Sequence, residues 1–90
     1  MNMEFAESRA GHDRNRIYLV VKAEGDYVWL VNGTTRLLAS PKKKNRKHVQ
    51  PIRKLPASVR ECLTDPVNDI TIKRALKIYQ KFRNQKQEDL

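Results

Sequence analysis

Acid is missing from the middle of this chain. Between Thr34 and Arg60 there is no aspartate or glutamate, while Arg36, Lys42, Lys43, Lys44, Arg46, Lys47, Arg53, Lys54 and Arg60 all fall there. That stretch carries +9, against −1 for residues 1–33 and +1 for residues 61–90, so the formal excess of +9 lies in the middle third. A surface built only for solubility mixes both signs. A single-sign block of this density points to a polyanionic partner.

Other scarcities exclude whole classes. Cys62 is the only cysteine, so no internal disulfide can form, and a reduced cytosolic setting fits. No apolar run approaches the roughly 20 residues needed to cross a membrane. Met1-Asn2-Met3-Glu4 lacks the basic start and apolar centre of a secretory signal. The expected location is the cytoplasm. His12 and His48 are the only histidines, and neither sits in a recognisable acid–base set. There is no Cys-x-x-Cys, no His-Glu-x-x-His and no phosphate-binding glycine loop. Ninety residues also leave little room for a deep pocket. No enzymatic activity, metal or cofactor is expected.

What is present is a small core and a dense basic run. Pro41 to Pro51 packs Lys42, Lys43, Lys44, Arg46 and Lys47 between two prolines. Like charges this close repel one another, so the run is easiest to explain if something anionic lies against it. It sits between two segments that read as strands, as a basic loop held by a rigid sheet.

Along the chain, Phe5 to Arg9 reads as a first strand. Ala10 to Arg16 reads as a turn-rich loop, because Gly11, Asp13 and Asn15 tolerate left-handed geometry. Ile17 to Val21 is rich in β-branched and aromatic residues, as a strand requires. Glu24-Gly25-Asp26 is a turn. Tyr27 to Val31 follows as a strand with Val28 and Leu30 on one face and Tyr27, Trp29 and Val31 on the other. Asn32-Gly33 predicts a two-residue hairpin, returning Thr34 to Ala39 antiparallel to Tyr27–Val31. His48-Val49-Gln50 is a short final strand. Short strands joined by tight turns suggest a small β-barrel or sandwich.

After Lys54 the pattern turns helical. Leu55, Val59, Cys62 and Leu63 have helical spacing, and Pro56 suits a first turn. Cys62 is expected to be a packed core residue and not a nucleophile. Thr64-Asp65-Pro66 breaks the helix. Asn68 or Asp69 can cap a second one, in which Ile72, Ala75, Leu76, Tyr79 and Phe82 form one apolar stripe. Lys73, Lys77 and Lys81 line another face. The helix is expected to fray from about Asn84.

The stretch Ala6-Glu7-Ser8-Arg9-Ala10-Gly11-His12-Asp13-Arg14-Asn15-Arg16-Ile17-Tyr18-Leu19-Val20-Val21 resembles a KOW motif. KOW motifs bind RNA in several ribosomal proteins and in NusG-type elongation factors. Asn32-Gly33 and the Pro41–Pro51 run also resemble small bacterial KOW-domain RNA-binding proteins, which are similar to KOW-containing large-subunit ribosomal proteins of archaea and eukaryotes. The resemblance covers roughly residues 3–51. Where the family usually has glycine, this chain has Asn15, which can keep the left-handed conformation at some cost. The resemblance implies an SH3-like five-stranded barrel, assigned to residues 1–54; the helical spacing after Lys54 adds an extension of two short helices over residues 55–90. It also implies RNA, ribosomal or ribosome-associated, as the partner.

The candidate RNA contacts are Arg9, Gly11, Arg14, Asn15 and Arg16 in the loop, Arg36, and Lys42, Lys43, Lys44, Arg46, Lys47 and His48 in the basic run. Arginine offers a fixed fork of donors to phosphate oxygens and can stack on bases. The lysines suit backbone phosphates. His48 can stack on a base, though a histidine beside a strand is more often packed or hydrogen-bonded. Trp29, Tyr27 and Tyr18 would form a base-stacking platform if exposed. A core this small needs its large side chains, so Trp29 is expected inside, and Tyr27 less clearly so. Two other functions compete: a protein-interaction module using the barrel or the Ile72–Phe82 stripe, and a non-specific DNA-binding protein.

Overall fold

In the computed structural model, five short strands make one antiparallel sheet. They are β1 (Phe5–Ser8), β2 (Ile17–Glu24), β3 (Tyr27–Val31), β4 (Lys42–Asn45) and β5 (Val49–Ile52), in the spatial order β4-β3-β2-β1-β5. Two helices follow, α1 (Ala57–Cys62) and α2 (Asp69–Glu88). The structure describes residues 4–64 and 67–88, so Met3, the Asp65-Pro66 step, Asp89 and Leu90 lie outside the described residues.

The sheet is open, not the closed barrel the resemblance implies. Its edge strands β4 and β5 are consecutive in the chain, separated only by a 3-10 turn at Arg46–His48. A three-residue link between opposite edges requires a strongly curled sheet. The turn spans the gap between those edges without a ladder across it.

Curling gives the sheet two unlike faces. Ala6, Tyr18, Val20, Val28 and Leu30 gather on the inner face, with Val49 packed against them. The outer face carries Phe5, Leu19 and Val31, and the helices cover it with Leu55, Val59, Leu63, Ile72, Ala75 and Tyr79. Phe5 meets Tyr79 edge to face at 5.4 Å between ring centres. Burying an aliphatic chain such as Ile72 contributes about 2 kcal/mol. The stripe on α2 is therefore the seam between helix and sheet, with Leu76 half-buried and Phe82 at its exposed end.

One turn follows expectation and one does not. The tight hairpin is Gly25-Asp26, where Glu24 pairs with Tyr27 and Gly25 has φ of +57°. Asn32-Gly33 makes no hairpin, and no strand runs through Thr34–Ala39. Instead the Asn32 carboxamide oxygen accepts from the Thr34 and Arg36 amides at 3.0 and 2.8 Å, folding the segment into a side-chain-closed loop. Gly33, at φ +76°, lies against the first turn of α2. A Cβ there would collide with the Asp69 carbonyl oxygen and come within 2.8 Å of the Lys73 nitrogen.

The α2 start follows capping chemistry. The Thr71 amide donates to Asn68 Oδ1 and the Asn68 amide donates to Thr71 Oγ1, each at 2.9 Å. Asp69 Oδ1 accepts from the Leu38 amide at 2.8 Å, tying the loop to the helix. Contrary to the expected fraying at Asn84, α2 continues to Glu88. Glutamine, lysine and glutamate are good helix formers without an apolar face, and Arg83 anchors the last turns to Glu7 of β1 at 3.2 Å.

Candidate nucleic-acid interface

The Ala10–Arg16 loop needs left-handed backbone at two places, and the sequence supplies it. Gly11 has φ of +84° and Asn15 has φ of +73°. Asparagine is thus carrying the conformation usually given to glycine. The loop closes on itself, with the Asn15 amide donating to the Ser8 carbonyl at 2.7 Å and the Arg16 amide to the Asp13 carbonyl at 3.0 Å. Arg14 and Arg16 are left on the exposed side.

Beneath the loop lies a buried charge that sequence reading does not single out as a site. Asp13 is only 6% exposed. Its Oδ1 accepts from Lys44 Nζ at 2.7 Å and Ser8 Oγ at 2.9 Å, and its Oδ2 accepts from Lys42 Nζ at 2.8 Å and the Tyr18 hydroxyl at 3.2 Å. Burial alone would raise the Asp13 carboxyl. The hydrogen bonds from Lys42, Lys44 and Ser8 outweigh that and hold it well below the ordinary carboxylate range. Burial also pushes the Tyr18 phenol up, reinforced by the Asp13 charge and by the bond Tyr18 donates to it. The Arg16 and Arg36 charges act on the same phenol in the opposite direction.

The basic run is a strand, not a crossing loop. Lys42–Asn45 pairs with β3, Lys43 opposite Trp29 and Lys44 opposite Val28. Alternation then sorts the lysines. Lys42 and Lys44 face inward to Asp13. Lys44 has a 9% exposed side chain, and its ammonium reaches Ser8 Oγ at 2.6 Å and the Ala10 carbonyl at 2.8 Å besides Asp13, which accounts for its three donors. Lys42 keeps a 30% exposed side chain. Lys43 turns to the other face, 4.2 Å from the centre of the Tyr27 ring.

The remaining candidates lie around this node. Arg9 is exposed, its guanidinium 3.4 Å from Glu7, and its amide donates to the His48 carbonyl at 2.8 Å. That bond fastens the loop to the 3-10 turn bearing Arg46, Lys47 and His48, all exposed. His48 is thus not packed in the core. Arg46 Nε donates to the Gly25 carbonyl at 2.8 Å, tying the turn to the β2–β3 hairpin as well. Arg36 is exposed, its amide held by Asn32. Trp29 is not a core residue: it is half-buried beside an exposed Tyr27, on the outer face beyond the helices.

The outcome is a ridged basic surface. Arg9, Arg14 and Arg16 lie on and beside the loop held by the Asp13 node, Lys42 belongs to that node, and the Arg9–His48 bond brings the turn bearing Arg46, Lys47 and His48 alongside. Of the acids that meet this surface, Asp13 is matched by Lys42 and Lys44, and Glu7 pairs with Arg9 and Arg83. Among the described residues no group of three or more His, Cys, Asp or Glu gathers as a metal site, and no helix is long and apolar enough to cross a membrane. No protein-family model matches the sequence, and no curated protein matches it.

Proposed function

We propose that the protein binds structured RNA, in a ribosome- or translation-associated role, without catalysing a reaction. The observation that carries this reading is the Asp13 node. It locks a loop bearing Arg9, Arg14 and Arg16 onto the strand and turn bearing Lys42, Arg46 and Lys47, so that sequence-distant cations share one rigid surface. Fixed cations lose less freedom on meeting phosphates than a flexible basic tail does. The KOW resemblance of residues 6–21 supports RNA as the polyanion, and the strand order β4-β3-β2-β1-β5 with a curled sheet supports an SH3-like domain. In this reading Gly11 and Asn15 shape the loop, Arg9, Arg14, Arg16, Arg36, Lys42, Arg46, Lys47 and His48 meet RNA, and Lys44 positions the loop, while Lys43 lies on the opposite face over Tyr27 and Trp29 and takes no part in this surface.

Gel shifts with structured RNA, duplex DNA and single strands at matched salt test the reading, together with copurification with ribosomal subunits. Preference for structured RNA supports it. Equal binding to duplex DNA favours a non-specific DNA-binding protein. A protein-docking reading has one observation of its own: Leu37, Leu38 and Ile70 are exposed around the Leu38–Asp69 hydrogen bond.

A further inference from the structure

The outer face of the sheet holds a second feature that the loop surface does not use. Helices cover that face at Leu19 and Val31 but leave its hairpin end open. There Lys22, Trp29 and Lys43 stand directly opposite one another on β2, β3 and β4, with Tyr27 two residues from Trp29. Tyr27 is 41% exposed and Trp29 is half-buried. Lys22 Nζ lies 4.7 Å from the Trp29 ring centre, and Lys43 Nζ lies 4.2 Å from Tyr27 and 5.6 Å from Trp29. Lys22 also meets Glu24 at 3.3 Å, in a pair where both side chains are more than half exposed.

We propose that Tyr27 and Trp29 form a stacking platform for an unpaired stretch of RNA, with Lys22 and Lys43 on its phosphates. The proposal rests on the RNA reading above but concerns a different surface. The chemistry of the patch selects the partner. Bare aromatic rings would suit any apolar group; rings flanked by exposed ammonium groups suit a ligand that is flat, π-faced and anionic, as each nucleotide is. Strand spacing favours an unpaired stretch over a stacked one. Two residues along a strand are about 6.6–7 Å apart, roughly twice the 3.4 Å rise of stacked bases. Two bases can lie on the two rings only if the strand is extended and unstacked. Lys43, resting on Tyr27 in the free protein, moves from the ring to a phosphate when a base takes its place.

Trp29 is the only tryptophan, so its fluorescence reports the platform directly. The unaltered protein is titrated with oligouridylate about ten nucleotides long, within the roughly 4–16 that a small nucleic-acid-binding β-domain covers. Parallel titrations use oligodeoxythymidylate, polyglutamate and a structured RNA hairpin. Oligouridylate should quench Trp29. Tyr27→Ala should weaken that binding roughly 5- to 150-fold, as removal of one base stack does, while Tyr27→Phe retains it and hairpin affinity is unchanged. Arg14→Ala with Arg16→Ala should do the reverse. Failure of oligouridylate to quench while the hairpin still binds overturns the platform and leaves the loop reading standing. If no RNA of either kind binds, both fall. Quenching by polyglutamate or by the deoxy-oligomer alone, or oligouridylate binding undiminished by Tyr27→Ala, also overturns it.

Discussion

Lys44 Nζ donates to Asp13 Oδ1 at 2.7 Å across 31 residues of chain. Both side chains are less than one-tenth exposed. The pair joins the loop after β1 to the edge strand β4; Lys44 is thereby structural, Lys42 shares its partner at 2.8 Å, and Lys43 and Lys47 stand outside the node. A basic run is therefore not one functional unit here; strand alternation divides it.

This division predicts unequal effects from chemically equal substitutions. Lys44→Met should destabilise the fold by about 3 kcal/mol, at the lower end for breaking a buried pair because Lys42 still faces Asp13. Lys43→Met and Lys47→Met should stay within about 0.5 kcal/mol of the parent protein. Urea unfolding of the three variants checks this. Similar midpoints for all three would return the run to a uniform solvated segment.

Asp13 sets an acid limit on stability. In the fold its carboxyl is held below the ordinary 3.8 of the unfolded chain. Above that ordinary value both states are ionised and the stabilisation is complete. As pH falls below it, the unfolded chain takes up a proton that the folded protein resists, so stability declines until the folded carboxyl protonates as well. Urea midpoints should therefore fall between about pH 5 and pH 2, and Asp13→Asn should flatten that decline. An unchanged pH dependence in Asp13→Asn would show that the carboxylate is not held by its partners.

Gly25 and Gly33, both at positive φ, offer a matched comparison. Gly25→Ala meets open space and should cost only its backbone strain, roughly 1–2 kcal/mol. Gly33→Ala carries the same strain and a collision with the α2 backbone at Asp69 and Lys73. Its melting temperature should fall distinctly further. Equal melting temperatures would mean that α2 does not seat against Gly33.

Much of this arrangement is legible in the sequence. Ile17–Val21, Tyr27–Val31 and the stripe through Ile72 and Tyr79 announce themselves because apolar periodicity and burial agree. Lys42–Asn45 does not, since a strand of lysines and asparagine has no apolar alternation to read; its period of two lies in which partners the ammonium groups reach. Asn32-Gly33 misleads for a related reason. Left-handed freedom serves a hairpin and a close helix approach equally, and only the packing of α2 shows which applies. Trp29 reads as a core residue because a small sheet needs large side chains, yet Phe5, Tyr18 and Tyr79 fill those places. Asp13 leaves one signal, a lone acid among Arg9, Arg14 and Arg16, without the distance information that brings Lys42 and Lys44 to it.

The most direct test of the RNA-binding account is the salt dependence of affinity for a structured RNA. The protein is compared with a triple variant carrying Arg14→Ala, Arg16→Ala and Lys47→Ala, three exposed side chains outside the Asp13 node. Circular dichroism should show the fold intact. Binding should weaken, and the slope of log affinity against log salt should shrink by about 0.7–0.9 for each phosphate that the variant no longer neutralises. A folded triple variant that binds the same RNA with unchanged affinity and unchanged slope would contradict the account.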